Sequence, residues 1–104
     1  MESPKILCGE NYYEQKFYLN EFYSVLPEEV KQELQIMCVL FVNEVRGIIL
    51  LEFDDNGNLL IHVTSREGDI YFDEVGSELK VAQLRREKKE LFEQLEEYYN
   101  AACR

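Results

Sequence analysis

The sequence predicts an α+β domain in which a central helix precedes a three-stranded antiparallel meander and a long C-terminal helix follows it. Two observations carry this prediction. An Asp-Asp-Asn-Gly turn separates two apolar runs, which is typical of a β-hairpin, and apolar residues recur at helical spacing on both sides of it. The length of 104 residues suits one hydrophobic core, so we expect residues 1–104 to form a single domain.

The N-terminal segment, residues 1–26, is rich in aromatic residues, and its three aromatic pairs recur at a spacing that fits neither a helix nor a strand. Two interpretations stay open. Asn11 and Glu14 could cap a short helix that ends at Leu19, or Lys16–Leu19 could form an edge strand. Because exposed rings are costly, we expect them to cover the core or a partner. The weaker candidate contact surface consists of Tyr13, Phe17, Tyr18 and Phe22.

A helix is predicted over residues 27–45. Pro27 suits the first helical position, where its missing N–H costs no hydrogen bond, and the two glutamates after it favour the positive end of the helix dipole. Ile36–Val42 is apolar all round, so we expect it to be buried, although its Val and Ile content leaves a strand as the alternative. The predicted apolar face consists of Val30, Leu34, Met37, Cys38, Phe41 and Val45.

The next segment, residues 48–72, is predicted to form the sheet. Asp54, Asn56 and Gly57 occupy the first, third and fourth positions of a type I turn followed by a glycine bulge. This turn sets a register that places six apolar side chains on one face. A second turn at Ser65–Gly68 predicts a third antiparallel strand over Ile70–Phe72. The predicted hairpin pairs are Phe53 with Leu59, Leu51 with Ile61 and Ile49 with Val63.

The last segment, residues 73–102, is predicted to form one long helix that Asp73 or Ser77 caps. Its side chains include a seven-residue apolar spacing that is typical of a coiled-coil seam, and a basic cluster at Arg85–Lys89 precedes an acidic one. An antiparallel homodimer around Leu91 would bring opposite clusters together; the alternative is a helix that lies across its own sheet. The candidate interface consists of Leu84, Arg85, Lys88, Leu91, Leu95, Glu97 and Tyr98.

Composition excludes several classes of function. A formal charge of −10 would repel phosphate backbones, which disfavours nucleic-acid binding. The N-terminus lacks the features of a signal peptide, and no apolar run approaches the ~20 residues that cross a bilayer, so we expect no membrane partner. Cys8, Cys38 and Cys103 are odd in number and widely spaced, which suits reduced thiols and a cytoplasmic location.

Signs of an active site are weak. His62 is the single histidine, and we expect it opposite the main apolar face of the hairpin as an ordinary strand residue. The spacing of Asp54, Asn56 and Asn58 resembles the start of a calcium loop, but its twelfth position is Ser65 where glutamate is required. We therefore nominate no catalytic, cofactor-binding or metal-binding residues and expect no cofactor.

Several stretches of the chain resemble a family of short uncharacterised proteins of Firmicutes-type bacteria, a domain of unknown function. The resemblance covers nearly the whole chain, implies a bacterial cytosolic origin and carries no activity. The stretches that resemble this family are Glu33–Cys38, Gly47–Leu59, Phe72–Ser77, Leu79–Leu84 and Leu91–Tyr99.

The sequence thus favours a noncatalytic interaction domain that self-associates through its C-terminal helix, or that presents its N-terminal aromatic residues to another protein. A second hypothesis is a small acidic inhibitor of a basic partner, either an immunity-type protein or a nucleic-acid mimic, since the chain is short and acidic. A third is a small enzyme or metal protein that uses His62 with nearby acids or a cysteine.

Overall fold

The computed structural model describes residues 4–103, which form a four-stranded antiparallel sheet and three α-helices. The α+β class is confirmed, but the sheet has four strands where the sequence predicts three. Their spatial order is β2-β1-β3-β4. In chain order the elements are β1 (Ile6–Asn11), β2 (Lys16–Leu19), a 3₁₀ turn (Glu21–Tyr23), α1 (Glu28–Val45), β3 (Ile48–Phe53), β4 (Leu59–Thr64), α2 (Glu74–Glu87) and α3 (Lys89–Ala102).

The β3–β4 hairpin has the predicted register, with Phe53 opposite Leu59 and Ile49 opposite Val63. The N–H of Gly57 donates to the carbonyl of Asp54 at 3.1 Å, and Gly57 adopts a φ of 82°, as the bulged turn requires. A Cβ atom at position 57 would also lie 2.2 Å from Oδ1 of Asn100 in α3. The turn therefore needs glycine both for its backbone conformation and for close contact with α3.

The N-terminal segment supplies the two strands that the predicted three-stranded meander omits. The alternative with an edge strand at Lys16–Leu19 is confirmed, and the helix that was to start at Asn11 is wrong. Asn11 Oδ1 accepts from the N–H groups of Tyr13 and Glu14 at 2.9 and 3.2 Å, so its side chain closes a tight turn between β1 and β2. β1 then pairs with β3 in the middle of the sheet.

The predicted third strand of the meander, Ile70–Phe72, is wrong, because this segment folds into turns. The carboxylate of Asp69 accepts from the N–H of Tyr71 at 3.0 Å, which bends the backbone away from an extended conformation. Ile70 is consequently exposed, and β4 remains an edge strand.

The helix predicted from Pro27 is present, and Ile36–Val42 is helical, so the strand alternative is wrong. The single helix predicted over residues 73–102 is also wrong, because it is broken at Lys88, whose φ and ψ are −109° and 21°. One helix of that length would measure about 45 Å, whereas the longest dimension of the fold is 41 Å. The predicted cap at Asp73 is present, since its carboxylate accepts from the N–H of Gly76 at 2.8 Å.

The hydrophobic core lies between one face of the sheet and helices α1 and α3. Along β3, Ile49, Leu51 and Phe53 are buried against these helices, whereas the alternate side chains on the opposite face are half-buried. The Phe53 ring stacks on Tyr99 of α3 with centroids 4.2 Å apart and planes 10° apart. α3 is therefore part of the core, and α2 lies beside α1 at the periphery.

Candidate protein interface

The structure buries most of the apolar residues of the predicted C-terminal interface in the core of their own chain. Leu91 and Leu95 are only 7% and 3% exposed, and Leu84 and Tyr98 are half-buried against the same core. Leu91 and Leu95 could contact a second copy only if α3 left the sheet. The helix thus lies across its own sheet, the alternative that the sequence left open.

Two of the charged residues in that predicted interface have partners within the chain. Arg85 donates to the carbonyl of Leu59 at 3.1 Å, and Lys88 pairs with Glu33 of α1 at 3.0 Å. Glu97 remains exposed on α3. Lys88 is therefore matched by an opposite charge inside the chain, through a contact that the linear sequence does not indicate.

The four aromatic residues of the weaker candidate surface do not form one exposed patch. Tyr13 and Phe17 are half-buried, and Phe17 packs against the core. Tyr18 and Phe22 are exposed, but Tyr18 lies on β2 opposite Gly9 and Phe22 lies in the 3₁₀ turn that follows. Most of the aromatic surface of this segment is used in folding.

A cluster of aromatic and charged side chains surrounds Arg46 at the end of α1. Its Nε donates to Asp69 at 3.2 Å, and its guanidinium lies 4.7 and 5.4 Å from the ring centroids of Tyr12 and Tyr71. The hydroxyl of Tyr13 donates to Asp69 at 2.6 Å. This bond, with that from Arg46, holds the pKa of Asp69 below its usual range.

Arg46 also has an unusual backbone conformation, with φ at 65° and ψ at 177°, a region that is populated almost only by glycine. The contacts with Asp69 and the two tyrosine rings offset the cost of this conformation. They attach the loop between β4 and α2 to the end of α1, so the cluster acts in folding.

The histidine and two of the three cysteines that the sequence singles out have partners or are buried within the fold. His62 lies on the open face of the sheet, and its Nε2 is 2.7 Å from Glu52. Cys8 and Cys38 are fully buried, and contact with Cys38 together with burial raises the pKa of the Cys8 thiol. Within residues 4–103, no three histidine, cysteine, aspartate or glutamate side chains are grouped so that they could hold a metal ion.

Large apolar side chains are exposed together on the outward sides of α1 and α2, which we call the α1–α2 face. Ile36 and Leu40 of α1 are each 58% exposed, and Val75 and Leu79 of α2 are 70% and 67% exposed. On α2, these two residues and Ala82 are spaced at helical intervals on the side away from the core. The α1–α2 face thus consists of two apolar stripes, one on each helix.

A groove of about 560 Å³ separates the two helices, with Met37, Phe41 and Leu84 among its apolar lining residues. Two ion pairs cross it, one between Lys80 and Glu44 and the other between Lys88 and Glu33. The pairing shows that α1 and α2 run antiparallel. Lys80, the earlier lysine of α2, pairs with the later glutamate of α1, and Lys88 pairs with the earlier one. The exposed stripe of α1, Ile36 and Leu40, therefore lines a groove that two ion pairs hold together, and the stripe of α2 lies outside it.

Sequence reasoning missed the α1–α2 face because an all-round apolar helix predicts burial on every side. Ile36 and Leu40 belong to the stretch that was expected to be buried. The signal that could have found them is on α2, where Val75, Leu79 and Ala82 form a stripe on the side opposite Ser77 and Leu84. Only one of these two sides can face the core.

Comparison with known proteins places the chain at the level of a family. A family model described as a family of unknown function, DUF6145, matches residues 4–104. The chain belongs to this family. The predicted resemblance to a domain of unknown function is confirmed, and the description of DUF6145 assigns no activity that could be transferred to these residues. Neither the curated proteins nor the solved structures contain a match to the chain. No helix in the described part of this DUF6145 member is both long and apolar enough to cross a lipid bilayer.

Proposed function

We propose that this chain is a noncatalytic protein-interaction domain that self-associates through its α1–α2 face. The observation that carries the proposal is the exposure of Ile36 and Leu40 at the groove between α1 and α2, together with the exposure of Val75 and Leu79 on the outward side of α2. Apolar patches of this kind on a small domain mark sites of protein contact. A second copy of the same helix pair would bury them in a four-helix arrangement, which is a common way to complete an apolar helix face.

The charges along α2 support pairing with a copy of the same helix in the antiparallel direction. Asp73 caps the helix and Glu74 lies in its first turn, whereas Arg85 and Arg86 lie in its last turn. A two-fold axis near the middle of the Val75–Ala82 stripe would bring Arg86 of each copy close to the acidic first turn of the other. Because the two-fold axis repeats every contact, the dimer would contain two such pairs of opposite charges.

This arrangement keeps the antiparallel charge matching that the sequence suggests but transfers it from α3 to α2. α3 is committed to the core through Leu91, Leu95 and Tyr99, so its removal would unfold the domain. By contrast, α2 contributes one buried side chain, that of Ser77, and its outward side is free for contact.

The test is sedimentation equilibrium of the wild type and of Leu40→Gln and Leu79→Gln variants. Each substitution replaces an exposed apolar side chain on the face and should weaken association by about tenfold or more, since buried leucines contribute about 1.5–3 kcal/mol. Val25→Gln is the matched control, because Val25 is 73% exposed but lies in the connection before α1. Association that is equally strong in all four proteins would contradict the proposal.

Charge reversal tests the direction of pairing. Arg86→Glu and Glu74→Arg should each weaken the dimer, and the double variant should recover association because it restores opposite charges across the two-fold axis. No recovery in the double variant would contradict the antiparallel arrangement while leaving the face itself supported by the leucine variants.

A further inference from the structure

The edge strand β4 presents backbone hydrogen-bonding groups that its own sheet does not use. Asp54 N–H donates to the carbonyl of Asn58 at 2.9 Å, which makes these two residues a hydrogen-bonded pair. Hydrogen-bonded and non-hydrogen-bonded pairs alternate along an antiparallel ladder, so Leu59, Ile61 and Val63 belong to non-hydrogen-bonded pairs. Their N–H and C=O groups therefore point away from β3. β4 has no neighbouring strand on that side.

Side chains close this edge at its beginning. The N–H of Leu59 donates to Glu96 of α3 at 2.7 Å, and the carbonyl of Leu59 accepts from Arg85 of α2 at 3.1 Å. Among residues 4–103, no side-chain hydrogen bond of this kind reaches the backbone of Ile61 or Val63. The fold thus protects one end of the edge and leaves the next two outward-pointing residues open.

A second groove, of about 330 Å³, runs between this open edge and α2. Its apolar lining consists of Ile61, Val63 and Val81 together with Phe72, whose ring lies against Gly47 at the far end of the strand. Its rim carries carboxylates. The acidic lining residues are Glu74 and Glu78, which are exposed and form no ion pair within the described residues.

We propose that this groove, the β4 groove, binds an extended segment of a basic partner protein, which pairs with Ile61 and Val63 as a fifth strand. Strand addition takes its affinity from main-chain hydrogen bonds and its selectivity from pockets for alternate side chains. A lysine or arginine fits best, because its aliphatic stem can lie on Val81 and Ile61 while its charge reaches Glu78.

The dimensions limit the length of the segment. From Leu59, where Arg85 and Glu96 close the edge, to Thr64 at the end of β4 there are five residue steps, or about 17 Å at 3.3 Å per residue. A partner segment of about five residues therefore fits. This site shares Glu74 with the proposed dimer contact but is otherwise separate from the α1–α2 face, which lies on the outward sides of the helices.

The experiment titrates a five-residue peptide of alternating valine and lysine, acetylated and amidated, into the isotope-labelled protein and follows backbone amide resonances. The amides of Ile61 and Val63 should shift in a saturable way. A peptide with the same side chains but N-methylated backbone should bind about tenfold more weakly, because it lacks the strand donors. A valine–glutamate peptide should also bind more weakly, because Glu74 and Glu78 would repel it.

Two variants of one residue separate the backbone contribution from the side chain. Val63→Pro and Val63→Ala both remove the valine side chain, but only proline removes the outward N–H, and an outward position on an edge strand tolerates proline. Binding should be weaker in Val63→Pro than in Val63→Ala. Equal binding of the two variants, or equal binding of the methylated peptide, would overturn the proposal in favour of attraction by net charge alone. Protection of the Ile61 and Val63 amides by a second copy in the free protein would overturn it as well.

Discussion

The substitution Leu95→Ala tests whether α3 belongs to the core of its own chain. Leu95 is 3% exposed and lies in the main cluster with Leu91 and Tyr99. The substitution removes three buried carbon atoms, which contribute about 2.4 kcal/mol at ~0.8 kcal/mol each. The cavity that remains adds to this loss, so the free energy of unfolding should fall by about 2–5 kcal/mol.

The matched control is Leu79→Ala, because the side chain and the helical setting are the same but Leu79 is 67% exposed. Only about a third of the transfer free energy is then lost, which gives less than about 1 kcal/mol. Urea unfolding followed by circular dichroism measures both changes, at a protein concentration low enough to keep the chain monomeric. The Leu95→Ala midpoint should fall by roughly 1–3 M. A loss below about 1 kcal/mol for Leu95→Ala, or equal losses for the two variants, would refute the packing of α3 described above.

Three further predictions concern single residues of the fold. Gly57→Ala should destabilise the domain by about 1–2 kcal/mol or more, because Gly57 has a positive φ and contacts α3. Gly68→Ala should cost less, because Gly68 also has a positive φ, of 80°, but is surrounded by open space. Equal shifts in melting temperature for the two variants would contradict this. The lowered pKa of Asp69 means that its contribution to stability is complete above its unfolded pKa of about 3.9 and is lost as the pH falls through the folded value. Asp69→Asn should therefore flatten the acid side of the stability profile, and an unchanged slope would show that Asp69 gains nothing on folding. Burial raises the pKa of Glu10, so the free energy of unfolding should fall as the pH rises through the folded pKa of this carboxyl. Glu10→Gln should remove this dependence of stability on pH. A steeper dependence in the variant would be inconsistent with a buried carboxyl.

The parts of the fold that sequence reasoning predicts are those determined by neighbouring residues. The β3–β4 register follows from the turn at Asp54–Gly57, because the turn type fixes which residues lie opposite. The start of α1 follows from Pro27 and the cap of α2 from Asp73, each of which acts within one helical turn.

The parts that sequence reasoning misses depend on contacts between distant residues. β1 contains Gly9 and Glu10, which have low strand propensity, and its strand conformation is stabilised by pairing with β3 about 40 residues later. The break at Lys88 has no glycine or proline to mark it, and it arises because α2 packs on α1 while α3 packs on the sheet. The α1–α2 face was missed because the all-round apolar stretch of α1 predicts burial on every side, whereas the packing of α2 and α3 leaves Ile36 and Leu40 exposed.

The absolute mass of the wild-type chain in solution tests the central claim most directly. Light scattering on a size-exclusion column, over a range of concentrations, should show a reversible increase from the 12.4 kDa of one chain to twice that mass. A mass that stays at 12.4 kDa up to millimolar concentration would contradict self-association through the α1–α2 face.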